Sequence, residues 1–286
     1  MGQAKVRQRN REEFLLLHPF CAYCGDVATT TDHCPPRCFF DRRDWPETYE
    51  FPACGMCNAQ ARLDEQALAV LARIQLRNER PDEPGAIEWR RLLDGVKNNQ
   101  PEFLIEWGDV SASRKKRALR ETFGPQGDPM RWAGWGALNI GPLSRAAIDR
   151  FIVKLGKALY YRHNDEVFEG DIYIKHIDPL IKNKNPAYWQ GLLNFAPRFA
   201  TPQRNSKSLA DRFIYRFNHD TRLGVIYAVV QFGHQLIFQI MAARHDLALE
   251  LEQNRAAAGE EMPTKGVFHC TLKSHAISMA TQGRSQ

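Results

Sequence analysis

No stretch of this 286-residue chain is both long and uninterruptedly apolar. The nearest candidate, Leu223 to Ala243, is broken by Gln231, Gly233, His234, Gln235 and Gln239, and β-branched and aromatic residues dominate its first half. Two neighbouring buried strands, or a strand and a short helix, explain it better than a bilayer span. The N-terminus is charged and has no apolar h-region, so no secretion signal is expected. There is no internal repeat, and no extreme of composition: 43% of residues are hydrophobic and 25% charged, the ordinary balance of a soluble globular protein. A formal charge of +6 permits a polyanionic partner without requiring one. The positive excess gathers in Lys5, Arg7, Arg9 and Arg11 and in the run Arg114-Lys115-Lys116-Arg117. Each cluster reads equally as a phosphate contact or as a solvated basic face. The expectation is a soluble, cytoplasmic protein.

Cysteines are few, seven in all, and their odd number argues against a disulfide framework. Four fall in two pairs, Cys21-x2-Cys24 and Cys54-x2-Cys57. Two such knuckles supply the four thiolates of a closed tetrahedral zinc site. Between them stands Asp32-His33, at the end of a stretch, Val27 to Thr31, that reads as a short strand, and Asn58 directly follows the last cysteine. An acid and an imidazole together can hold a divalent metal and deprotonate a water. Cys34 and Cys38 read as packing residues.

Residues 21–58, with Cys-Ala-Tyr-Cys-Gly, Thr-Thr-Thr-Asp-His-Cys-Pro-Pro-Arg and Pro-Ala-Cys-Gly-Met-Cys-Asn, resemble the HNH endonuclease family in its zinc-bound ββα-metal, or treble-clef, form. The likeness covers about the first 65 residues. It implies that His33 is the general base and that Asp32 and Asn58 hold a catalytic divalent ion such as Mg²⁺ or Mn²⁺. It also implies that Cys21, Cys24, Cys54 and Cys57 hold a structural Zn²⁺. The partner it implies is nucleic acid, double-stranded DNA first, and the reaction is phosphodiester hydrolysis. The family's central Asn has no counterpart in Glu47-Thr48-Tyr49-Glu50-Phe51, where Glu47 or Thr48, or a backbone carbonyl, is expected to orient the histidine. Arg37, Arg42 and Arg43 follow His33 on the loop between knuckles and read as phosphate contacts or as a solvated loop. The competing expectation is a zinc-stabilised nucleic-acid- or protein-binding module without catalysis.

The fold class expected is α+β, a small zinc-bound ββα module followed by helices and a second α+β domain with an antiparallel sheet. Residues 1–80 form the module with its exit helix, 81–140 a helical connector and linker, and 141–286 the second domain with a mobile tail. Helical periodicity marks Ala61 to Arg77 and Ala86 to Val96, and Ser111 to Phe123 reads as a basic helix. Ser144 reads as the N-cap of a helix running through Tyr161. Asp171 to Ile177, Arg212 to Phe217, Gly224 to Val230 and Ile237 to Met241 read as strands, the middle two paired. The aromatic residues Trp132 and Trp135 read as core, or as a base-stacking pair.

Overall fold

The structure is a computed structural model that describes residues 3–41, 44–74, 83–126, 138–233, 236–258 and 264–266. Its first half contains α1 (Gln3–Leu17), β1 (Thr30–His33), β2 (Glu50–Ala53), α2 (Gly55–Arg73), α3 (Pro84–Asn99), α4 (Pro101–Gly108) and α5 (Ala112–Phe123). β1 and β2 form an antiparallel pair in which His33 lies opposite Glu50 and Asp32 opposite Phe51. α6 (Pro142–Asn164) opens the second half. After it come β3 (Gly170–Ile177), α7 (Ile181–Lys184), α8 (Pro186–Phe195), β4 (Arg198–Ala200), β5 (Gln203–Arg204) and β6 (Lys207–Ser208). The chain continues through β7 (Phe213–Asp220), β8 (Val225–Phe232), β9 (Leu236–Arg244), α9 (His245–Ala258) and β10 (Thr264–Gly266). The protein is therefore mixed α+β, with an antiparallel sheet in the order β10-β3-β9-β8-β7-β4. No described helix is long and apolar enough to cross a membrane. The apolar stretch Leu223 to Ala243 instead supplies β8 and most of β9.

Alternation along the strands gives the sheet two different faces. The inner face carries Ile172, Ile174, Tyr215, Phe217, Ile226, Ala228, Val230, Phe238, Ile240 and Ala242, all buried. α6 packs on it so closely at Gly156 that an added Cβ would meet side-chain carbons of Ile240 and Ile172 at 3.1–3.3 Å. The other side of α6 meets α2. Phe39, just past β1, bridges both halves, its ring 5.0 Å from Phe151 and 5.3 Å from Phe232. One continuous core thus runs from the knuckles through α6 into the sheet. The expected division near residue 140 separates segments of sequence and not separate cores.

Several expected elements are shifted. β1 begins at Thr30 and includes the Asp-His pair, and α2 starts at Gly55, so that Asn58 lies in its first turn. Ser144 is not a cap: α6 begins at Pro142 after Gly141. Instead, the Glu106 carboxylate of α4 accepts from the backbone N–H groups of Leu143 and Ser144 at 2.8 and 2.9 Å, satisfying donors that a helix start leaves orphaned. The Ser144 hydroxyl is buried and accepts from Trp107 Nε1 at 2.8 Å. Trp132 and Trp135, and nearly all of the tail beyond Ala258, lie outside the described residues.

Candidate functional site

The first knuckle is a tight turn. Gly25 N–H donates to Cys21 O at 2.9 Å, Cys21 N–H donates to Asp26 O at 2.7 Å, and Gly25 adopts φ 77°, a left-handed conformation that suits glycine. The second knuckle is the start of α2: Cys54 is its N-cap, with Sγ accepting from Cys57 N–H at 3.4 Å. The four sulfurs of Cys21, Cys24, Cys54 and Cys57 all lie within 4.8 Å of one another, and Cys24 and Cys54 are 3.7 Å apart. A tetrahedron with Zn–S bonds of about 2.3 Å has edges of about 3.8 Å, so the cluster has the dimensions to hold such an ion. Packed together as thiols, the four split their acidities. Hydrogen bonds from Cys24 and Cys57 pull Cys21 down to about 2, and the same contacts to Cys21 push Cys24 and Cys57 up. The geometry of four sulfurs at tetrahedral spacing marks this set as a candidate cation site. Among the described residues it is the one group of three or more His, Cys, Asp or Glu side chains arranged to hold a metal.

Cys34 and Cys38 stay outside this cluster. Burial pushes the Cys34 thiol well up and the Cys38 thiol to about 12, as for inert core thiols.

His33 closes β1. Its Nε2 is 3.1 Å from Glu50 Oε1, the residue directly across the strand pair, and 2.8 Å from an Arg37 guanidinium nitrogen. These contacts demand opposite tautomers: with a proton on Nε2 the ring donates to Glu50, and without one it accepts from Arg37. Only the first leaves the Nδ1 lone pair open to take a proton. The His33 hydrogen bond holds the half-buried Glu50 carboxyl below its usual range. Trp45 stands edge-on to the imidazole, and the Arg37 and Arg204 guanidiniums lie 4.4 and 4.6 Å from the Trp45 ring centre.

Glu47 and Thr48, the expected partners of the imidazole, are engaged elsewhere. Glu47 accepts from Asn205 N–H at 3.1 Å, in the turn between β5 and β6. Thr48 Oγ1 accepts from Arg162 at 3.1 Å. The carboxylate that reaches the imidazole is that of Glu50, whose register places it opposite His33.

Asp32 points the other way along the strand alternation and is only 7% exposed. Both of its anchors grip one oxygen: the Tyr23 hydroxyl donates to Oδ2 at 2.8 Å, and Lys154 Nζ of α6 lies 2.6 Å from the same atom. No hydrogen bond reaches Oδ1 from any described residue. Lys154 is fully buried and also lies 2.6 Å from Glu65 Oε1 of α2. Asn58 sits on the Thr30/Asp32 side of β1. Its Nδ2 donates to Thr30 Oγ1 at 3.5 Å and to Thr31 O at 3.4 Å, which leaves its amide oxygen without a described partner.

The structure thus gathers the four cysteines, sets Asp32 and Asn58 on one face of β1, and turns His33 to the opposite face with Arg37 and Glu50. Arg42 and Arg43 lie outside the described residues. Sequence reasoning did not find Glu50, Lys154, Glu65, Tyr23 or Trp45. For Glu50 a signal existed, since antiparallel pairing of the strands on either side of the intervening loop brings it opposite His33.

No protein-family model, no curated protein and no solved structure matches the chain.

Proposed function

We propose that the protein is a metal-dependent endonuclease that hydrolyses nucleic-acid phosphodiester bonds, with DNA as the first substrate to test. The zinc module would be a treble-clef ββα unit made of the two knuckles, β1, β2 and α2. Zn²⁺ on four thiolates has no open position, so its role there is structural. The reading is carried by the pair of half-anchored side chains on one face of β1. Asp32 is held through Oδ2 alone, and Asn58 through Nδ2 alone, so each is oriented and each keeps an oxygen free. That is how outer partners prepare metal ligands. A hard divalent cation such as Mg²⁺ or Mn²⁺ suits such oxygens and, when bound, would supply positive charge against the charge that develops on the phosphate.

The chain's own residues account for the rest. His33, donating from Nε2 to Glu50, takes a proton from water at Nδ1. The hydroxide oxygen bonds to phosphorus as the P–O3′ bond breaks, and the leaving oxygen is protonated by solvent. Arg37 beside the imidazole provides a bidentate donor for a phosphate. Nicking of supercoiled plasmid by purified protein with Mn²⁺ tests the proposal.

One observation favours a second reading, a zinc-stabilised binding module without catalysis. Lys154 already sets an ammonium between Asp32 and Glu65, at 2.6 Å from each. In that reading the lysine takes the place of the catalytic ion.

A further inference from the structure

Lys154 lies on α6 between Val153 and Leu155, among buried residues, and is itself 0% exposed. Taking an ammonium out of water is costly and is offset only when it is fully paired. An apolar side chain at this depth would avoid that cost. The pairing present here is specific. Nζ lies 2.6 Å from Asp32 Oδ2, 2.6 Å from Glu65 Oε1, and 5.2 Å from the centre of the Tyr23 ring. Tyr23 donates its hydroxyl to the same Asp32 oxygen. The neighbouring turn of α6 adds a second tie, since Lys157 Nζ donates to Tyr23 O at 2.7 Å in the first knuckle.

Two donors on one oxygen fix the rotation of a carboxylate plane and aim the other oxygen. We propose that Lys154 is a positioning residue: from the sheet half of the chain it locks Asp32 Oδ2 and so leaves Oδ1 as the oxygen available to a divalent ion. The sheet half is then part of the metal site's scaffold, and the ββα unit is incomplete without α6. This inference rests on the endonuclease reading, whose divalent ion it requires.

The test is Mn²⁺ binding to full-length, zinc-loaded protein, followed by electron paramagnetic resonance of the free ion. The proteins compared are wild type, Lys154→Met, and Lys154→Met/Glu65→Gln, the last removing a buried carboxylate together with the ammonium. Both variants should retain one zinc and a cooperative melt, and both should bind Mn²⁺ about 10–100-fold more weakly, the usual loss when an outer partner of a ligand is removed. Affinity that is unchanged would overturn the positioning role. Affinity that rises would also overturn it, by making Lys154 a substitute for the ion. Loss of the zinc-bound fold in both variants would reduce Lys154 to a structural tie. Wild-type protein that binds no Mn²⁺ beyond its zinc would sink the endonuclease reading itself, whereas binding by wild type with intact binding by both variants sinks this inference alone.

Discussion

Glu50 faces His33 across the β1–β2 pair, its carboxylate oxygen 3.1 Å from the imidazole Nε2. A side chain directly opposite on a neighbouring antiparallel strand is among the closest non-bonded neighbours a residue has. The pair therefore fixes the ring without any insertion or special loop. Glu50→Gln should lower the nicking rate about 10–100-fold, because the amide still fills the space but no longer stabilises a charged imidazole. Glu47→Ala should leave the rate nearly unchanged and loosen only the β5–β6 turn it holds. Initial rates of plasmid nicking for the two variants would settle the assignment, and a larger loss in Glu47→Ala would reverse it.

Loss of a metal from the four-cysteine cluster should act on folding before it acts on chemistry. One zinc per chain is expected by elemental analysis, and Cys54→Ser should lower zinc content and melting temperature together. Cys54 is one of the four clustered thiols and also the N-cap of α2, so the substitution should weaken the helix start as well as the candidate ion site. Because the core runs continuously from the knuckles into the sheet, chelation should lower the melting temperature of the whole protein. Well-folded protein without zinc would contradict this.

Acid stability should carry the mark of His163. Burial, followed by the charges of His219, Arg162 and Arg198, lowers this imidazole from its ordinary 6.5 to about 4. Its Nε2 lies 3.0 Å from the Tyr215 hydroxyl, and its ring centre 4.0 Å from that of Phe217. A depressed folded-state value means that the neutral ring supports the fold above the unfolded value, and that this support is lost as pH falls through the folded one. The melting temperature of wild type should therefore drop between about pH 6.5 and about pH 4. His163→Gln, which keeps a polar group near Tyr215 but cannot charge, should lose less over the same window. Parallel pH profiles for the two proteins would show that another group dominates.

What could be read from the chain follows the range of the interactions. The knuckles, the Asp-His pair and Asn58 are short-range patterns, and the structure brings the four sulfurs together as their spacing implies. β7, β8 and β9 follow from alternation, because one face of each is buried against α6 or its neighbours. Lys154 was not legible. A lysine on a helix that also carries Arg145, Arg150, Lys157 and Arg162 reads as one more solvent-facing residue, and nothing nearby in sequence points to carboxylates on β1 and α2. The same limit hid Glu106, which caps α6 from another helix, and hid α4, whose eight residues are too few to show a period. Local sequence favours Ser144 as the cap, and the distant Glu106 carboxylate overrides it.

The central claim is that the zinc module cuts nucleic acid with His33 as base. The most direct measurement is nicking of supercoiled plasmid in Mn²⁺ by wild type and by His33→Ala, with zinc content and DNA affinity measured alongside. The wild type should convert supercoiled plasmid to nicked circles. His33→Ala should retain its zinc and its DNA binding while losing about 10²–10⁴-fold in rate. Equal cutting by the two proteins, or no cutting by folded, zinc-loaded wild type, would contradict the account.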